Sequence, residues 1–193
     1  MIRNAPSGGA ARGVRAAVAA GALLGLAGCS WGPHWGMGHA AGYGPRPAAV
    51  AQMQPRSASQ VTGRVWFTQG AHHTMVHFDL SGLKPGAEHG FHLHEKGDCS
   101  APDATSAGGH FNPGGQPHGH PRDARRHAGD LPNLRADASG VARGVFPVDR
   151  MEIDGPGGVL GRGVVVHRDP DDYRSQPAGN SGPRVACGVI AAR

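Results

Sequence analysis

From about residue 60 onward the chain alternates apolar and polar side chains with a period of two rather than 3.6. Val61, Val65 and Phe67 open the first such stretch. In the next, Thr74, Val76, Phe78 and Leu80 interleave with His73, Met75, His77 and Asp79. This is the spacing of a half-buried strand, and Leu83-Lys84-Pro85-Gly86 supplies the turn that ends it. In Gly90-Phe91-His92-Leu93-His94, Phe91 and Leu93 point into a core while His92 and His94 emerge together on the other face, about 7 Å apart at Cα. Strand signals return at 141–148, at Val164-Val165-Val166-His167 and at 184–190. No helical period and no internal repeat stands out, so the pattern predicts an all-β domain. Between 97 and 133 the apolar signal nearly vanishes, yet that stretch holds His110, His118, His120 and His127. A loop this long inside a compact domain is usually functional or disordered.

The N-terminal part follows a different pattern. Arg3, Arg12 and Arg15 precede an apolar run, 16–27, that is too short to span a bilayer but suits the apolar region of a secretory signal. The run ends Leu26-Ala27-Gly28-Cys29, which resembles a bacterial lipobox, whose cysteine is lipidated and becomes the first mature residue. The expectation is a signal peptide over 1–28 and a membrane anchor on Cys29 at the periplasmic face of the cell envelope. Because Ser30 rather than Asp follows, the outer membrane is the expected address. Residues 29–59, rich in Gly, Pro, Ala, Trp and Gln, read as a flexible tether. Its Trp31, His34, Trp35, Met37 and His39 form either a loose copper-binding set or, more simply, incidental ligands. The folded domain is expected over 60–193.

Composition narrows the classes further. Gly (33) and Pro (16) make up a quarter of the 193 residues, which opposes a helical bundle and favours a turn-rich chain. Removing the three Arg of the signal lowers the net charge from +5 to +2. No basic run with interleaved aromatics remains, so nothing supports nucleic-acid binding. With Cys29 assigned to lipid, Cys99 and Cys187 form an even pair in an oxidising compartment, and a disulfide is expected. The outlying number is the 13 His, imidazole being the commonest ligand for zinc and copper.

Those histidines fall into two chemical sets. His110, His118 and His127 with Asp130 supply three imidazoles and a carboxylate, the nitrogen and oxygen set of a closed tetrahedral zinc site. His92, His94 and His167 offer only nitrogen, which suits Cu(II) better.

Several motifs together resemble the copper/zinc superoxide dismutase family: Gly90-Phe91-His92-Leu93-His94-Glu95, Gly109-His110-Phe111-Asn112-Pro113, His127-Ala128-Gly129-Asp130-Leu131, Val165-Val166-His167, and Gly179-Asn180-Ser181-Gly182-Pro183-Arg184-Val185-Ala186-Cys187-Gly188. The resemblance runs in order over 60–193. It implies an antiparallel Greek-key β-barrel or flattened sandwich with long metal-binding and electrostatic loops. It implies copper on His92, His94, His110 and His167, and zinc on His110, His118, His127 and Asp130, with His110 bridging the two ions. Asp171, with Asp172 as its neighbouring alternative, matches an acid that links a copper histidine to a zinc histidine. Arg184 matches the arginine that attracts the superoxide anion, and with His110 it would carry the catalysis. The implied activity is dismutation of superoxide to oxygen and hydrogen peroxide by a Cu(II)/Cu(I) cycle, protecting the cell envelope.

Some positions set this chain apart within that resemblance. Cys99 lies five residues after His94, an arrangement that resembles bacterial exported members. Residues 173–178 lack the Glu and Lys guides of animal enzymes. His120 competes with His118 for the zinc role, and spacing to His110 and His127 favours His118. His89 reads as a hydrogen-bonding structural residue, and His72, His73 and His77 as exposed strand or turn positions. Whether two copies pair into a homodimer is open at this point. The alternative function is a copper-binding or copper-delivery lipoprotein on the same fold.

Overall fold

The computed structural model describes residues 48–70 and 72–193; the expected signal, lipidated Cys29 and the histidines of the tether lie outside the described residues. Among the described residues nine strands follow in order: β1 (Ala49–Pro55), β2 (Thr62–Gln69), β3 (His73–Ser81), β4 (Glu88–His89), β5 (Phe91–His94), β6 (Leu134–Arg135), β7 (Ala142–Asp149), β8 (Gly163–His167) and β9 (Arg184–Ala192). The only helical element among the described residues is one 3-10 turn, Thr105–Ala107.

Seven strands form one curled antiparallel sheet in the order β5-β8-β9-β1-β2-β3-β7, and β4 pairs with β6 separately. The all-β, antiparallel architecture with crossovers is the one expected. The alternation read on β3 holds, with Thr74, Val76 and Leu80 buried. Phe67, Val76, Leu80, Phe91, Leu93 and Ile190 meet in one core. Large fully buried side chains of this kind are each worth about 1.5–3 kcal/mol of transfer free energy.

One boundary moves. The tether expected over 29–59 gives way by Ala49 to β1, which sits centrally between β9 and β2. Ala49, Ala51 and Met53 are buried, and Gln52 and Gln54 face solvent. Small alanines on the inward face make this period of two resemble low-complexity sequence. Without β1 the sheet would lose its middle and expose two edges.

A disulfide joins Cys99 to Cys187, as expected, and closes a loop of 88 residue steps. Loop closure of this length contributes about 4.5 kcal/mol in the chain-entropy description. The bridge packs with Ala104, Ala107 and Val165 in a second small core separate from the first.

Candidate metal centre

The site grows from the free edge of β5. On one side β5 pairs with β8, aligning His92 with Val165 and His94 with Gly163. An edge strand leaves N–H and C=O groups without a ladder partner, and here the long loop supplies them. Phe111 N–H donates to the Leu93 carbonyl (2.8 Å), Leu93 N–H to Gly129 (2.9 Å), and Glu95 N–H to Gly109 (3.0 Å). Isolated bridges thereby align His94 with His110 and His92 with Asp130. Gly129 runs so close that a Cβ there would collide with the Leu93 carbonyl. The loop is therefore docked onto the strand through main-chain bonds, which carries its histidines to the two on β5.

The face that the alternation sends outward is not exposed to solvent. His92 and His94 are both 0% exposed, because the loops roof them. His167 enters from the end of β8, where an irregularity between Val166 and His167 re-aims the strand. The same register sets His167 opposite Arg184, the first residue of β9.

His110 is the hub. Its ring lies 3.9 Å from that of His92, 5.1 Å from His94, and 5.3 Å from each of His118 and His127. Two groups of potential ligand atoms form around it: His92, His94, His110 and His167 on one side, and His110, His118, His127 and Asp130 on the other. His110 belongs to both. His120 belongs to neither: its Nδ1 accepts the Arg122 N–H (3.1 Å) and its ring lies against Tyr173.

Hydrogen bonds at one ring nitrogen decide which nitrogen is left to face inward. His94 Nδ1 donates to the Gly108 carbonyl (2.9 Å), His167 Nδ1 to the Gly182 carbonyl (3.0 Å), and His92 Nε2 to Asp171 Oδ2 (2.8 Å). Each ring thus holds its proton on the outer nitrogen and turns a lone pair inward. The inward atoms, His92 Nδ1, His94 Nε2, His110 Nε2 and His167 Nε2, are buried with no hydrogen-bond partner in the protein. Buried polar atoms are rarely left so. Four convergent lone pairs, all nitrogen, fit a copper ion.

The second group has a different chemistry. Asp130 Oδ1 stands 3.0 Å from His110 Nδ1, 3.0 Å from His118 Nδ1 and 3.2 Å from His127 Nδ1, and His127 Nδ1 lies 3.3 Å from His110 Nδ1. A tetrahedron with ligand bonds of about 2.0–2.1 Å has edges of roughly 3.3 Å, so these separations suit zinc. The other Asp130 oxygen accepts the N–H groups of Gly119 (3.1 Å) and His127 (2.8 Å), which fixes the carboxylate.

Protonation follows burial and pairing. Burial pulls His92 down to about 4 and His167 to about 3, with His94 well below the usual imidazole range, so these three rings are neutral at pH 7. Burial also pulls on His118, but hydrogen bonds to Asp130 and Asp171 outweigh it and raise the ring to about 9. Burial pushes the Asp130 and Asp171 carboxyls up, and bonds from His110, His118 and His92 more than reverse this, holding both ionised.

Asp171, rather than its neighbour Asp172, joins the two groups. Its Oδ2 accepts from His92 Nε2 and its Oδ1 from His118 Nε2 (2.9 Å). Asp172 instead ties Ser175 and Asn180 at the surface. Arg184 sits beside a cavity of about 300 Å³ whose wall includes His94, His110, His167, Pro177 and Ala178. Its Nη1 donates to the Ala104 carbonyl and its Nη2 to Gly108, each at 2.7 Å. The Gly108 carbonyl therefore holds both Arg184 and the copper-side His94. His89 donates through Nδ1 to the His167 carbonyl (2.9 Å), and His77 stacks on Trp66 rather than standing free.

Two contributors escaped the sequence reading. The Asn133 carboxamide pairs with both backbone groups of Asp171: Asp171 N–H donates to Oδ1 (2.9 Å), and Nδ2 donates to its carbonyl (3.0 Å). The Gln176 carboxamide does the same for His118. Contacts of a side chain with a distant main chain leave no periodic trace in sequence.

The sequence matches the family described as "Copper/zinc superoxide dismutase (SODC)" over residues 61–190. Relatives named Superoxide dismutase [Cu-Zn] from Candida glabrata and Yarrowia lipolytica are each 44% identical over 143 residues, covering 70% of this chain and 92% of their own. One from Cordyceps militaris is 45% identical over the same share. Among solved structures, the clock protein EA4 matches with a TM-score of 0.69 at 41% identity, over 76% of this chain and 96% of its own. A mutant of a SOD-like protein from Bacillus subtilis matches at 0.67 and 36%, over 74% and 97%. Profile, relatives and the doubled histidine cluster agree: the chain belongs to the copper/zinc superoxide dismutase family, whose metals are copper and zinc and whose enzymes dismutate superoxide.

Proposed function

We propose that this protein converts two superoxide anions and two protons into one O2 and one hydrogen peroxide at a centre where His92, His94, His110 and His167 would hold copper and His110, His118, His127 and Asp130 would hold zinc. The observation that carries this reading is the membership of one ring in both ligand groups, Nδ1 among zinc-type donors and Nε2 among copper-type donors. When bound, copper supplies the one-electron acceptor in its Cu(II) state and the donor in its Cu(I) state.

The chain's own residues do the rest. His92, His94 and His167 present preset lone pairs from strand positions, so binding needs little reorganisation. Arg184 is fixed by two carbonyls, and a guanidinium with five N–H groups keeps donors for an anion entering the cavity. His110 Nε2 lines that cavity and is the atom from which a proton can pass to the peroxide product. Zinc-side contacts at Nδ1 hold the ring in the orientation this transfer needs. Pro177 and Ala178 on the wall carry no charge, and Arg184 is the one cationic side chain there among the described residues. Within the cavity, attraction of superoxide therefore rests on Arg184.

The direct test is superoxide decay in the presence of the copper- and zinc-loaded protein, beside metal analysis. Rapid turnover with both metals present is expected. Near-stoichiometric copper without turnover would favour copper storage or delivery instead.

The sequence of residues 1–29 supports export and a lipid anchor on Cys29, placing the enzyme at the periplasmic face of the outer membrane to protect the envelope. Incorporation of labelled palmitate that is lost in Cys29→Ala is expected; labelling that persists in that variant contradicts the anchor.

A further inference from the structure

The two loops that roof the site grip each other through a reciprocal pair of carboxamides. Asn133, on the loop that carries the zinc-type ligands, holds the main chain of Asp171 on the opposing loop. Gln176, on that opposing loop, holds the main chain of His118. The His118 N–H donates to Gln176 Oε1 (2.8 Å), and Gln176 Nε2 donates to the His118 carbonyl (2.9 Å) and, less closely, to Arg174 (3.3 Å). One carboxamide therefore satisfies both backbone groups of a single residue, as a neighbouring strand would. Between the two clamps runs the side-chain bond from His118 Nε2 to Asp171 Oδ1 (2.9 Å). Gly179 lies flat over that bond, and a Cβ there would come within 2.8 Å of His118 Nε2 and closer still to Asp171.

Position gives the Gln176 clamp its significance. His118 lies on an irregular stretch with no strand ladder to hold it, whereas His92 and His94 are fixed by β8 and His110 by β5. Immediately after Gln176 come Pro177 and Ala178, both on the wall of the copper-side cavity.

We propose that Gln176 is a positioning residue, fixing the main chain of the zinc ligand His118 and registering the wall of the substrate cavity against it. This rests on the zinc assignment proposed above. It acts through His118 and touches neither metal nor substrate. Loss of an outer partner of a metal ligand commonly costs 10–100-fold in affinity, and a clamp on the ligand's main chain belongs to that class.

The test uses the metal-loaded protein and two variants. Gln176→Ala removes both bonds; Gln176→Glu keeps the size and the acceptor for the His118 N–H but sets a carboxylate oxygen against the His118 carbonyl. Transfer of zinc to the chromophoric chelator 4-(2-pyridylazo)resorcinol is followed in time. Release about tenfold faster in Q176A is expected, with Q176E also accelerated and Arg174→Ala, an exposed neighbour, at the wild-type rate. Unfolding with and without metal distinguishes positioning from general support: Q176A should lower the unfolding temperature of the metal-loaded protein by more than that of the metal-free protein. Zinc release at the wild-type rate in both Gln176 variants would overturn the proposal. So would an equal loss of unfolding temperature with and without metal. Zinc analysis of the wild-type protein separates these failures from that of the metal reading: a wild type that takes up no zinc removes both.

Discussion

The two ligand groups around His110 are built in opposite ways. Three of the four copper-side histidines sit on β5 and β8, their outer nitrogens are pinned by Gly108, Gly182 and Asp171, and their inner nitrogens have no partner in the protein. The zinc-side donors all come from the loop between residues 110 and 130, and they satisfy one another through Asp130. Strand ladders thus prebuild one site, while a carboxylate and inter-loop bonds assemble the other. The contrast teaches that strand-borne and loop-borne ligands depend on different supports, main-chain ladders for the first group and Asp130 with the inter-loop bonds for the second.

The sharpest way to break this comparison is at the ring common to both sides. His110→Ala is expected to abolish zinc retention and cut turnover by more than the roughly 100-fold that loss of an outer partner costs. Metal analysis and superoxide decay check it; zinc content and rate near wild type would mean the two groups are independent.

Asp171→Ala comes next, because it removes acceptors from His92 and His118 at once. Zinc affinity should fall about 10–100-fold, and copper affinity less, because β8 still holds His92 through its strand. Competition titrations with chelators measure both; equal losses would erase the distinction between strand-borne and loop-borne ligands.

Arg184→Ala should lower kcat/KM about 10–100-fold, the effect of losing a charge-assisted bond of roughly 1.5–3 kcal/mol. It should also flatten the dependence of rate on ionic strength, since this guanidinium is the cation on the cavity wall. An unchanged salt slope would move the attraction elsewhere.

The metal-free protein should show two slopes with pH, one from each side. Burial depresses His92 to about 4, His167 to about 3 and His94 well below the ordinary value. Between those values and 6.5 the unfolded chain binds more protons, so stability falls as pH drops through this window. His118, raised to about 9, has the opposite sign: its contribution is complete below 6.5 and is lost as pH climbs through 9. A maximum near pH 6.5 in the denaturant midpoint is expected, and His118→Ala should remove the alkaline slope while leaving the acid one. The smallest effect belongs to the exposed Arg143–Asp79 pair on β7 and β3 (2.8 Å). Arg143→Ala should cost under about 1 kcal/mol and leave both metals in place, as denaturation and metal analysis would show.

Much of this was legible in the sequence, for reasons that differ by element. On β3 and β5, alternation of large apolar with polar residues marks the strands, and His-x-His on a strand fixes two rings to one face. The motifs around His110, His127 and Asp171 carried the rest of the site by resemblance. β1 was misread as tether because Ala49 and Ala51 bury little area and leave a faint signal. Burial of His92 and His94 could not be foreseen from their own strand, since loops more than ten residues away in sequence roof them. The Asn133 and Gln176 clamps had no local signal at all, because each pairs a side chain with main chain 38 or 58 residues distant.

The claim on which all this depends is that one ring serves two metals. Anomalous scattering at the copper and zinc edges, from crystals of the metal-loaded protein, tests it most directly. The expected result is a copper peak beside His110 Nε2, among His92, His94 and His167, and a zinc peak beside His110 Nδ1 at about 2.0–2.1 Å. A single metal position, or two peaks of which either lies beyond bonding distance of His110, would contradict it.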